Sequence, residues 1–172
     1  MPEDQLFIGV DSGTQGTKAV VFSREQGKII AEAYAEHQII ETQEGRREQE
    51  PIWWIEASTA VIGKVLKKSN VSKQLIRAIG VSGQQHGMVA LDLEGNLIRP
   101  AKLWCDTETS QQCIEMTQKI GSAEKVIELI GNSIAAGFTA SKILWLKNYE
   151  PENYGRLATV LLPHDYINFW LT

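Results

Sequence analysis

The residues with the clearest chemical potential lie near the start of the chain, between Asp11 and Thr17. A carboxylate there ends an apolar stretch and is followed by small and hydroxyl-bearing residues, in the order Asp-Ser-Gly-Thr-Gln-Gly-Thr. Backbone N–H groups in a tight glycine turn can point outward together and bind a polyanion. Beside Gly13, the side chains of Thr14, Gln15 and Thr17 add hydrogen-bond donors. We therefore expect this turn to bind phosphate groups.

Asp11 is the candidate metal ligand of this turn. Mg²⁺ binds oxygen ligands, and a cation at this position would neutralise charge that builds on a transferred phosphoryl group. The pattern is neither a Walker A motif nor GxGxxG, and glycine motifs produce many false matches. An ordinary hairpin whose Asp11 caps its own turn is the alternative, and spacing alone leaves both interpretations open.

A second polar stretch, Gly83-Gln84-Gln85-His86-Gly87, follows a predicted strand. A sugar presents many hydroxyls and little apolar surface, so its site needs converging hydrogen-bond donors and acceptors. Gln84, Gln85 and His86 can supply both. The alternative for His86 is a histidine that only ties down its own turn.

Trp104 and Asp106 form the third candidate group. Trp104 could cover the apolar face of a sugar ring, although a tryptophan is often part of the core. The carboxylate of Asp106 could accept hydrogen bonds from one or two hydroxyls. Two other histidines, His37 and His164, have no supporting pattern and receive no role.

The predicted elements place these residues at strand ends and in loops. Apolar runs separated by short turns predict three antiparallel strands at 6–10, 18–22 and 28–38. From Pro51, apolar residues recur every three or four positions and predict an amphipathic helix. Further strands are predicted at 75–82, 88–92 and 160–162, and further helices at 106–129 with a break near Gly121, at 141–149 with Thr139 as its N-cap, and at 165–171. This order predicts an α/β domain with a mixed sheet flanked by helices.

Composition excludes several classes of function. The net charge of −4, without a block of Lys or Arg, argues against a duplex-DNA binder. The acidic start, Met1 to Asp4, is unlike a signal peptide, and no apolar run reaches membrane-spanning length. Cys105 and Cys113 lack CxxC spacing and predict reduced thiols. We expect a cytoplasmic protein with no nucleic-acid or membrane partner.

The turn at Asp11 resembles the first phosphate loop of the actin-like ATPases, a superfamily that includes sugar kinases, chaperone ATPases and actin. Five further segments resemble the FGGY family of carbohydrate kinases, in the family's order. They are Glu48-Gln49-Glu50-Pro51 with Trp53-Trp54, the stretch from Gly80 to Gly87, Leu103-Trp104-Cys105-Asp106, the stretch from Gly137 to Trp145, and Leu162-Pro163-His164-Asp165-Tyr166. The resemblance spans essentially the whole chain. The Gly-Gln-x-His-Gly stretch resembles members that act on xylulose, whereas the glycerol kinases carry an Arg-Glu pair there.

The resemblance implies a fold and a domain organisation. The expected fold is an actin-like ATPase, or ribonuclease H-like, α/β domain, with the antiparallel meander in a mixed sheet and helices on both faces. Residues 1–172 would be the incomplete N-terminal domain of a two-domain enzyme. Sugar and ATP meet in a cleft in such enzymes, so the phosphate turn and the Gln/His loop should face a common crevice.

The resemblance also implies an activity: ATP-dependent phosphorylation of a ketopentose, D-xylulose, at its terminal hydroxyl. ATP and Mg²⁺ would be the cofactors and a sugar the small-molecule partner. The resemblance is also compatible with a homodimer. Asp11 would position Mg²⁺ and phosphate, with ATP contacts from Gly13, Thr14, Gln15 and Thr17 and sugar contacts from Gln84, Gln85, His86, Trp104 and Asp106. The general-base aspartate and the adenosine pocket of the family are expected beyond Thr172, so this chain alone should be inactive.

One departure from the family keeps other substrates open. The family commonly has an arginine two residues after the aspartate of the Leu-Trp-x-Asp motif, where this chain has Glu108. A glutamate cannot replace the planar donor fork of arginine. A related kinase for ribulose, gluconate, glycerol or another polyol is therefore the first alternative. A filament-forming or chaperone ATPase and a non-catalytic sugar-binding or dimerisation module are the others.

Overall fold

A computed structural model describes residues 5–172, which divide into two compact units. The first unit comprises Met1–Gln38, Pro51–Gln84 and His164–Thr172, and the second comprises Ile39–Glu50 and Gln85–Pro163. The acidic start that argues against a signal peptide lies outside the described residues. Within residues 5–172, no helix combines the length and the apolar character that crossing a membrane requires.

The strands and helices follow one another in a mixed order. The strands are β1 (Leu6–Ser12), β2 (Gly16–Ser23), β3 (Lys28–Glu36), β4 (Ile40–Glu41), β5 (Arg47–Gln49), β6 (Ile76–Gly83), β7 (Val89–Leu91), β8 (Ala101–Lys102) and β9 (Thr159–Leu161). The helices are α1 (Pro51–Ser69), α2 (Ser110–Ile120), α3 (Ala123–Ile130), α4 (Thr139–Tyr149), α5 (Pro151–Arg156) and α6 (Pro163–Leu171).

The first unit contains a four-stranded sheet in the order β3-β2-β1-β6. β1 pairs with β2 and β2 with β3 in antiparallel register, whereas β6 runs parallel to β1. The short turns after β1 and β2 require antiparallel neighbours, while the long connection through α1 allows a parallel one. The predicted α/β class, the antiparallel meander and the mixed sheet are confirmed.

Helix α1 covers this sheet, packing on β1, β2 and β3. Its apolar stripe includes Trp54, Val61 and Val65, which are fully buried. Alternate residues of β1 and β2 face the helix, as expected for strands with one covered face. The core of the first unit consists of Leu6, Ile8, Val10, Ala19, Val21, Ala31, Val61 and Val65.

The second unit is built from short strands and helices. β4, β5 and β8 form one antiparallel sheet, and β7 pairs with β9 in another. A small core contains Met88, Ala90, Trp145 and Leu146. All five strands have only two or three residues, and β4, β5 and β8 were not predicted. Such strands are too short for a period of two to mark them in the sequence.

Two predictions of helix boundaries are wrong. The helix expected from residue 106 begins at Ser110, because residues 106–109 lie in a loop. The expected break near Gly121 is confirmed: α2 ends there with a left-handed glycine (φ 128°), and Ser122 caps α3 by accepting from Lys125 N–H. The prediction that Thr139 caps the next helix is wrong. Thr139 is the first residue of α4, and its hydroxyl donates instead to the carbonyl of Gly87 (3.5 Å).

Candidate active site

The predicted phosphate turn connects β1 and β2 in the first unit. Gly13 N–H donates to the carbonyl of Gly16 (2.9 Å), and Ser12 lies opposite Thr17 in the strand register. Gly16 has no room for a side chain, because a Cβ there would lie 2.5 Å from the carbonyl oxygen of Ala35. The glycine pattern therefore produces a tightly closed hairpin with β3 packed against its base.

Asp11 lies at the end of β1 with its side chain exposed. Its neighbour on the parallel strand β6 is Ser82, whose hydroxyl donates to Asp11 Oδ1 at 2.9 Å. This bond orients the carboxylate beside the turn, and the donor chemistry suits Mg²⁺, which takes oxygen ligands. Sequence reasoning missed Ser82, because a partner 71 residues away on a parallel strand leaves no local signal.

Gln84 supports the phosphate turn from the end of β6. Its backbone N–H donates to the carbonyl of Ser12 (3.0 Å). Its buried side-chain amide donates to the carbonyl of Gly13 (3.3 Å) and accepts from the Thr14 hydroxyl (3.2 Å). The predicted contact of Gln84 with a sugar stays a prediction, and these bonds argue for a supporting role at the turn.

The other side chains predicted to contact phosphate differ in exposure. Gln15 is exposed, and Thr14 is half-buried. Thr17 is fully buried, and its hydroxyl lies 2.9 Å from Ser12 Oγ and 2.9 Å from His37 Nε2. A hydroxyl with two such partners is poorly placed to bond a phosphate as well, so the geometry favours an indirect role for Thr17.

In the second unit, Gln85 and His86 lie in an exposed loop. His86 has a left-handed backbone (φ 57°), which is uncommon for a residue other than glycine and often marks a functional site. Its ring packs on Phe138, with ring centroids 4.6 Å apart. Gly87 must be glycine, because a Cβ would lie 2.6 Å from Pro163 Cγ. The loop thus presents His86 outward in a fixed conformation.

Trp104 follows β8 in the same unit, and its side chain is 51% exposed. That exposure argues against the alternative in which this tryptophan belongs to the core, and it suits an aromatic platform. The neighbouring Gly137 leaves space for the Trp104 backbone, because a Cβ there would lie 2.7 Å from the Trp104 carbonyl oxygen. Gly137 and Phe138 therefore connect the surroundings of Trp104 with those of His86.

Asp106 faces inward and is fully buried. Its Oδ2 accepts from Lys102 Nζ (2.8 Å) and from the backbone N–H of Arg47 (2.9 Å), and its Oδ1 accepts from the N–H of Glu108 (3.1 Å). The predicted sugar contact stays a prediction, but three protein donors already use this carboxylate. The geometry favours Asp106 as a support for the loop that carries Trp104.

Glu108, the departure from the family pattern, is paired inside the protein. Its carboxylate accepts from Lys102 Nζ (2.5 Å) and from Arg46 Nε (3.2 Å). Burial by itself would raise the pKa of Glu108, but the hydrogen bonds and charges of Lys102 and Arg46 lower it below its usual value. Glu48, Asp106 and Glu108 have carboxylate oxygens within 4.8 Å of one another, and the Lys102 ammonium contacts all three. With Arg99 beside Glu48 and Arg46 beside Glu108, Lys102 completes a set of three cations of the protein for these three carboxylates.

Lys142 anchors the loop before α4. Its buried ammonium donates to the carbonyl oxygens of Ala136 (3.1 Å), Gly137 (2.5 Å) and Phe138 (3.2 Å). Burial lowers the pKa of Lys142 to about 8, although the charge of Asp106 opposes that shift. At pH 7 the side chain is therefore mostly charged. It holds the backbone of the residues that contact Trp104 and His86.

A pH-dependent contribution to stability follows from Lys142. The folded state releases its proton near pH 8, whereas the unfolded chain keeps it to about 10.5, so the unfolded state binds more protons between these values. The free energy of unfolding should therefore rise with pH in this window, by about 3 kcal/mol in total. The free energy of unfolding is measured from pH 7.5 to 10.5 for the intact wild-type protein and for Lys142→Met. The difference between the two proteins isolates the contribution of Lys142. A difference that does not grow with pH would contradict the prediction.

The structure thus brings the predicted residues together in two groups. In the first unit, Asp11, Gly13, Thr14, Gln15 and Gln84 surround one hairpin. In the second, His86 and Trp104 are connected through the loop that contains Gly137 and Phe138. The expectation that the two loops face one crevice stays a prediction. Sequence reasoning missed Ser82 and His37, whose partners are distant in the chain, and Lys142, whose ammonium bonds the nearby carbonyl oxygens of residues 136–138.

Comparisons with known proteins identify the family. A sequence profile of the N-terminal domain of the FGGY family of carbohydrate kinases matches residues 6–172. A xylulose kinase from Haemophilus influenzae is 43% identical over 171 residues, covering 97% of this chain and 35% of the relative. One from Bacillus subtilis is 38% identical over 168 residues, covering 98% of this chain and 33% of the relative. The crystal structure of a xylulose kinase from Rhodospirillum rubrum superposes with a TM-score of 0.87 at 26% identity, covering 96% of this chain and 33% of that one.

The matches extend over almost the whole chain, which spans about a third of the length of these relatives. They agree with the mixed α/β sheet and confirm the predicted actin-like ATPase class. The profile matches far more than half of the chain, and both relatives are more than 30% identical to it over almost its whole length. The chain belongs to the FGGY family of carbohydrate kinases, as the N-terminal domain of a member.

Proposed function

We propose that the intact protein is an ATP-dependent sugar kinase that phosphorylates D-xylulose at its terminal hydroxyl to give D-xylulose 5-phosphate. The similarity to xylulose kinases from Haemophilus influenzae and Bacillus subtilis supports this substrate. The observation on this chain that carries the proposal is His86. It is exposed, held in a left-handed conformation and packed on Phe138, within the Gly-Gln-x-His-Gly stretch.

The hairpin after β1 is the proposed phosphate site. Backbone N–H groups of Thr14 and Gln15 would bind the phosphate oxygens of ATP, as turns of successive N–H groups do for anions. The N–H of Gly13 closes the turn by donating to the carbonyl of Gly16, so Gly13 would act by shaping the turn. Asp11, oriented by Ser82, would hold Mg²⁺ directly or through water. When bound, the cation would neutralise charge on the phosphoryl group that is transferred.

The loops of the second unit form the proposed sugar site. Gln85 and His86 would exchange hydrogen bonds with the ketose hydroxyls, and the exposed indole of Trp104 would cover an apolar face of the sugar. The general base and the adenosine pocket would come from the part of the protein beyond this chain. The residues here therefore bind and orient the substrates, which is where much of the catalysis of phosphoryl transfer lies. An enzyme that draws on cellular ATP would work in the cytoplasm.

A substrate panel tests the proposal. The intact protein is assayed for ATP consumption with D-xylulose, D-ribulose, gluconate and glycerol, and D-xylulose should give the highest kcat/KM. The isolated 172-residue chain serves as the matched control and should show negligible turnover, because it lacks the proposed base. A preference for another polyol would contradict D-xylulose as the substrate and assign that polyol instead. The absence of turnover with every sugar would reject a kinase role.

A further inference from the structure

His37, which no sequence pattern singled out, contacts the phosphate turn at three points. Its backbone N–H donates to the carbonyl of Gln15 (2.9 Å). Its ring places Nδ1 3.1 Å from the carbonyl oxygen of Gly13 and Nε2 2.9 Å from Thr17 Oγ1. The residue directly follows β3, so the side chain reaches the turn from the neighbouring strand. Both ring nitrogens are thus used within the first unit.

These contacts determine which ring nitrogen carries the proton. A carbonyl oxygen only accepts, so Nδ1 is the donor to Gly13. In the neutral ring, Nε2 then accepts from the Thr17 hydroxyl, and Thr17 Oγ1 in turn accepts from Ser12, 2.9 Å away. Burial lowers the pKa of His37, while its bond to Gly13 partly opposes that shift. The neutral ring with a proton on Nδ1 therefore satisfies every partner in this chain of hydrogen bonds.

The same contacts fix the direction of the peptide between Gly13 and Thr14. The carbonyl of Gly13 is held by His37 Nδ1 and by Gln84 Nε2 at 3.3 Å. The peptide bond is trans, so the N–H of Thr14 points opposite to that carbonyl, away from His37 and Gln84. A peptide free to flip would present its carbonyl oxygen on that side instead and repel an anion. By holding the carbonyl, His37 and Gln84 ensure that this side of the turn presents the partial positive charge of an N–H rather than the partial negative charge of a carbonyl oxygen.

We propose that His37 is a positioning residue for the phosphate turn: it holds the Gly13–Thr14 peptide and, through Thr17, the base of the hairpin in the orientation that binds ATP. This proposal rests on the proposed function, in which the turn contacts the phosphates. It also gives buried Thr17 a role that its geometry allows, as the partner of His37 rather than as a ligand of phosphate.

Steady-state kinetics of the intact protein test the proposal with a set of matched variants. His37→Phe keeps a ring but removes both hydrogen bonds, so the KM for ATP should rise about tenfold, since two bonds of ordinary strength are lost. The KM for the sugar should stay within about twofold of wild type, because only the phosphate turn is altered. Thr17→Val should give a smaller effect, and the double variant should cost less than the sum of the two single effects, because both remove the bond between His37 and Thr17. His37→Gln, which keeps a donor and an acceptor, should recover part of the loss.

Lys28→Gln, at the far end of the same strand, is the control and should leave both KM values unchanged. An unchanged KM for ATP in His37→Phe would overturn the proposal. An equal rise in both KM values would do the same, because it would indicate general damage to the fold. Additive effects of His37→Phe and Thr17→Val would show that the two side chains act separately and would also overturn it.

Nuclear magnetic resonance of the histidine ring gives a readout that needs no turnover. Nitrogen-15 spectra of the intact protein, with His37→Gln used for assignment, should show a neutral His37 with its proton on Nδ1. A proton on Nε2 would overturn the proposal. If no sugar stimulates ATP consumption, the proposed function fails, and the His37 proposal is then decided by this spectrum together with MgADP binding to wild type and His37→Phe.

Discussion

Replacing Asp11 with asparagine in the intact protein should lower kcat with D-xylulose by about a hundredfold to a thousandfold, the usual loss when one electrostatic group is removed from a transition state. Asparagine has the shape of aspartate, and its side-chain oxygen can still accept from Ser82, which lies 2.9 Å from Asp11 Oδ1. The variant therefore removes the negative charge and preserves the hairpin. Because Asp11 is exposed, the temperature of unfolding should change little.

The cation gives this prediction a second readout. If Asp11 holds Mg²⁺, the Mg²⁺ concentration that gives half-maximal activity should rise in Asp11→Asn at saturating ATP. Ser82→Ala is the matched control: it leaves the charge and removes only the bond that orients it, so its loss of kcat should be about tenfold or less. A kcat for Asp11→Asn within tenfold of wild type, with an unchanged Mg²⁺ requirement, would remove Asp11 from the catalytic site.

The first unit was predictable from the sequence because its signals are local. The turn after β1 closes over a few residues, so its glycines and the apolar runs beside it define an antiparallel pair directly. Alternation within β1 also indicates that Asp11 and Ser12 face opposite sides. The parallel pairing of β1 with β6 joins segments that are distant in the chain. This pairing brings Ser82 and Gln84 to the turn, and sequence reasoning missed Ser82 and placed Gln84 at the sugar.

The second unit shows why residue type is a weaker guide than the direction of a side chain. Asp106 and Glu108 lie in a loop, where no period indicates which of them points inward. Sequence reasoning therefore placed Asp106 at the sugar and treated Glu108 as a departure that leaves other sugar substrates open. In the structure both carboxylates turn toward Lys102, and Trp104 is exposed in this loop. The unusual glutamate thus has an internal partner.

Lys102 is the centre of that arrangement. Its fully buried ammonium lies 3.2 Å from Glu48, 2.8 Å from Asp106 and 2.5 Å from Glu108, and 4.2 Å from the centre of the Trp145 ring. Arg99 adds a second cation, 2.6 Å from Glu48. Charges buried in this way are tolerated only while they remain paired, because each would otherwise bear the full cost of leaving water.

Lys102→Met should therefore lower the free energy of unfolding by about 3–5 kcal/mol, the usual result of removing one partner from a buried ionic group. Methionine fills a similar volume, so the loss reports the missing charge rather than a cavity. Asp106 loses its cation, while Glu48 keeps Arg99 and Glu108 keeps Arg46. Glu108→Gln alone should cost about 1 kcal/mol, since it leaves Lys102 with two carboxylates, and combined with Lys102→Met it should recover part of the larger loss.

Variants of Glu108 test whether this residue acts on the stability of the fold or on the choice of sugar. Because Glu108 faces Lys102 and Arg46, Glu108→Gln should leave the ratio of kcat/KM for D-xylulose and D-ribulose within about twofold of wild type. Glu108→Arg, which introduces the residue common in the family, would instead place a third cation beside these two and should destabilise the fold as much as Lys102→Met. Unfolding in urea and the two-sugar assay on the intact protein decide between the roles. A shift in sugar preference without loss of stability would place Glu108 at the substrate after all.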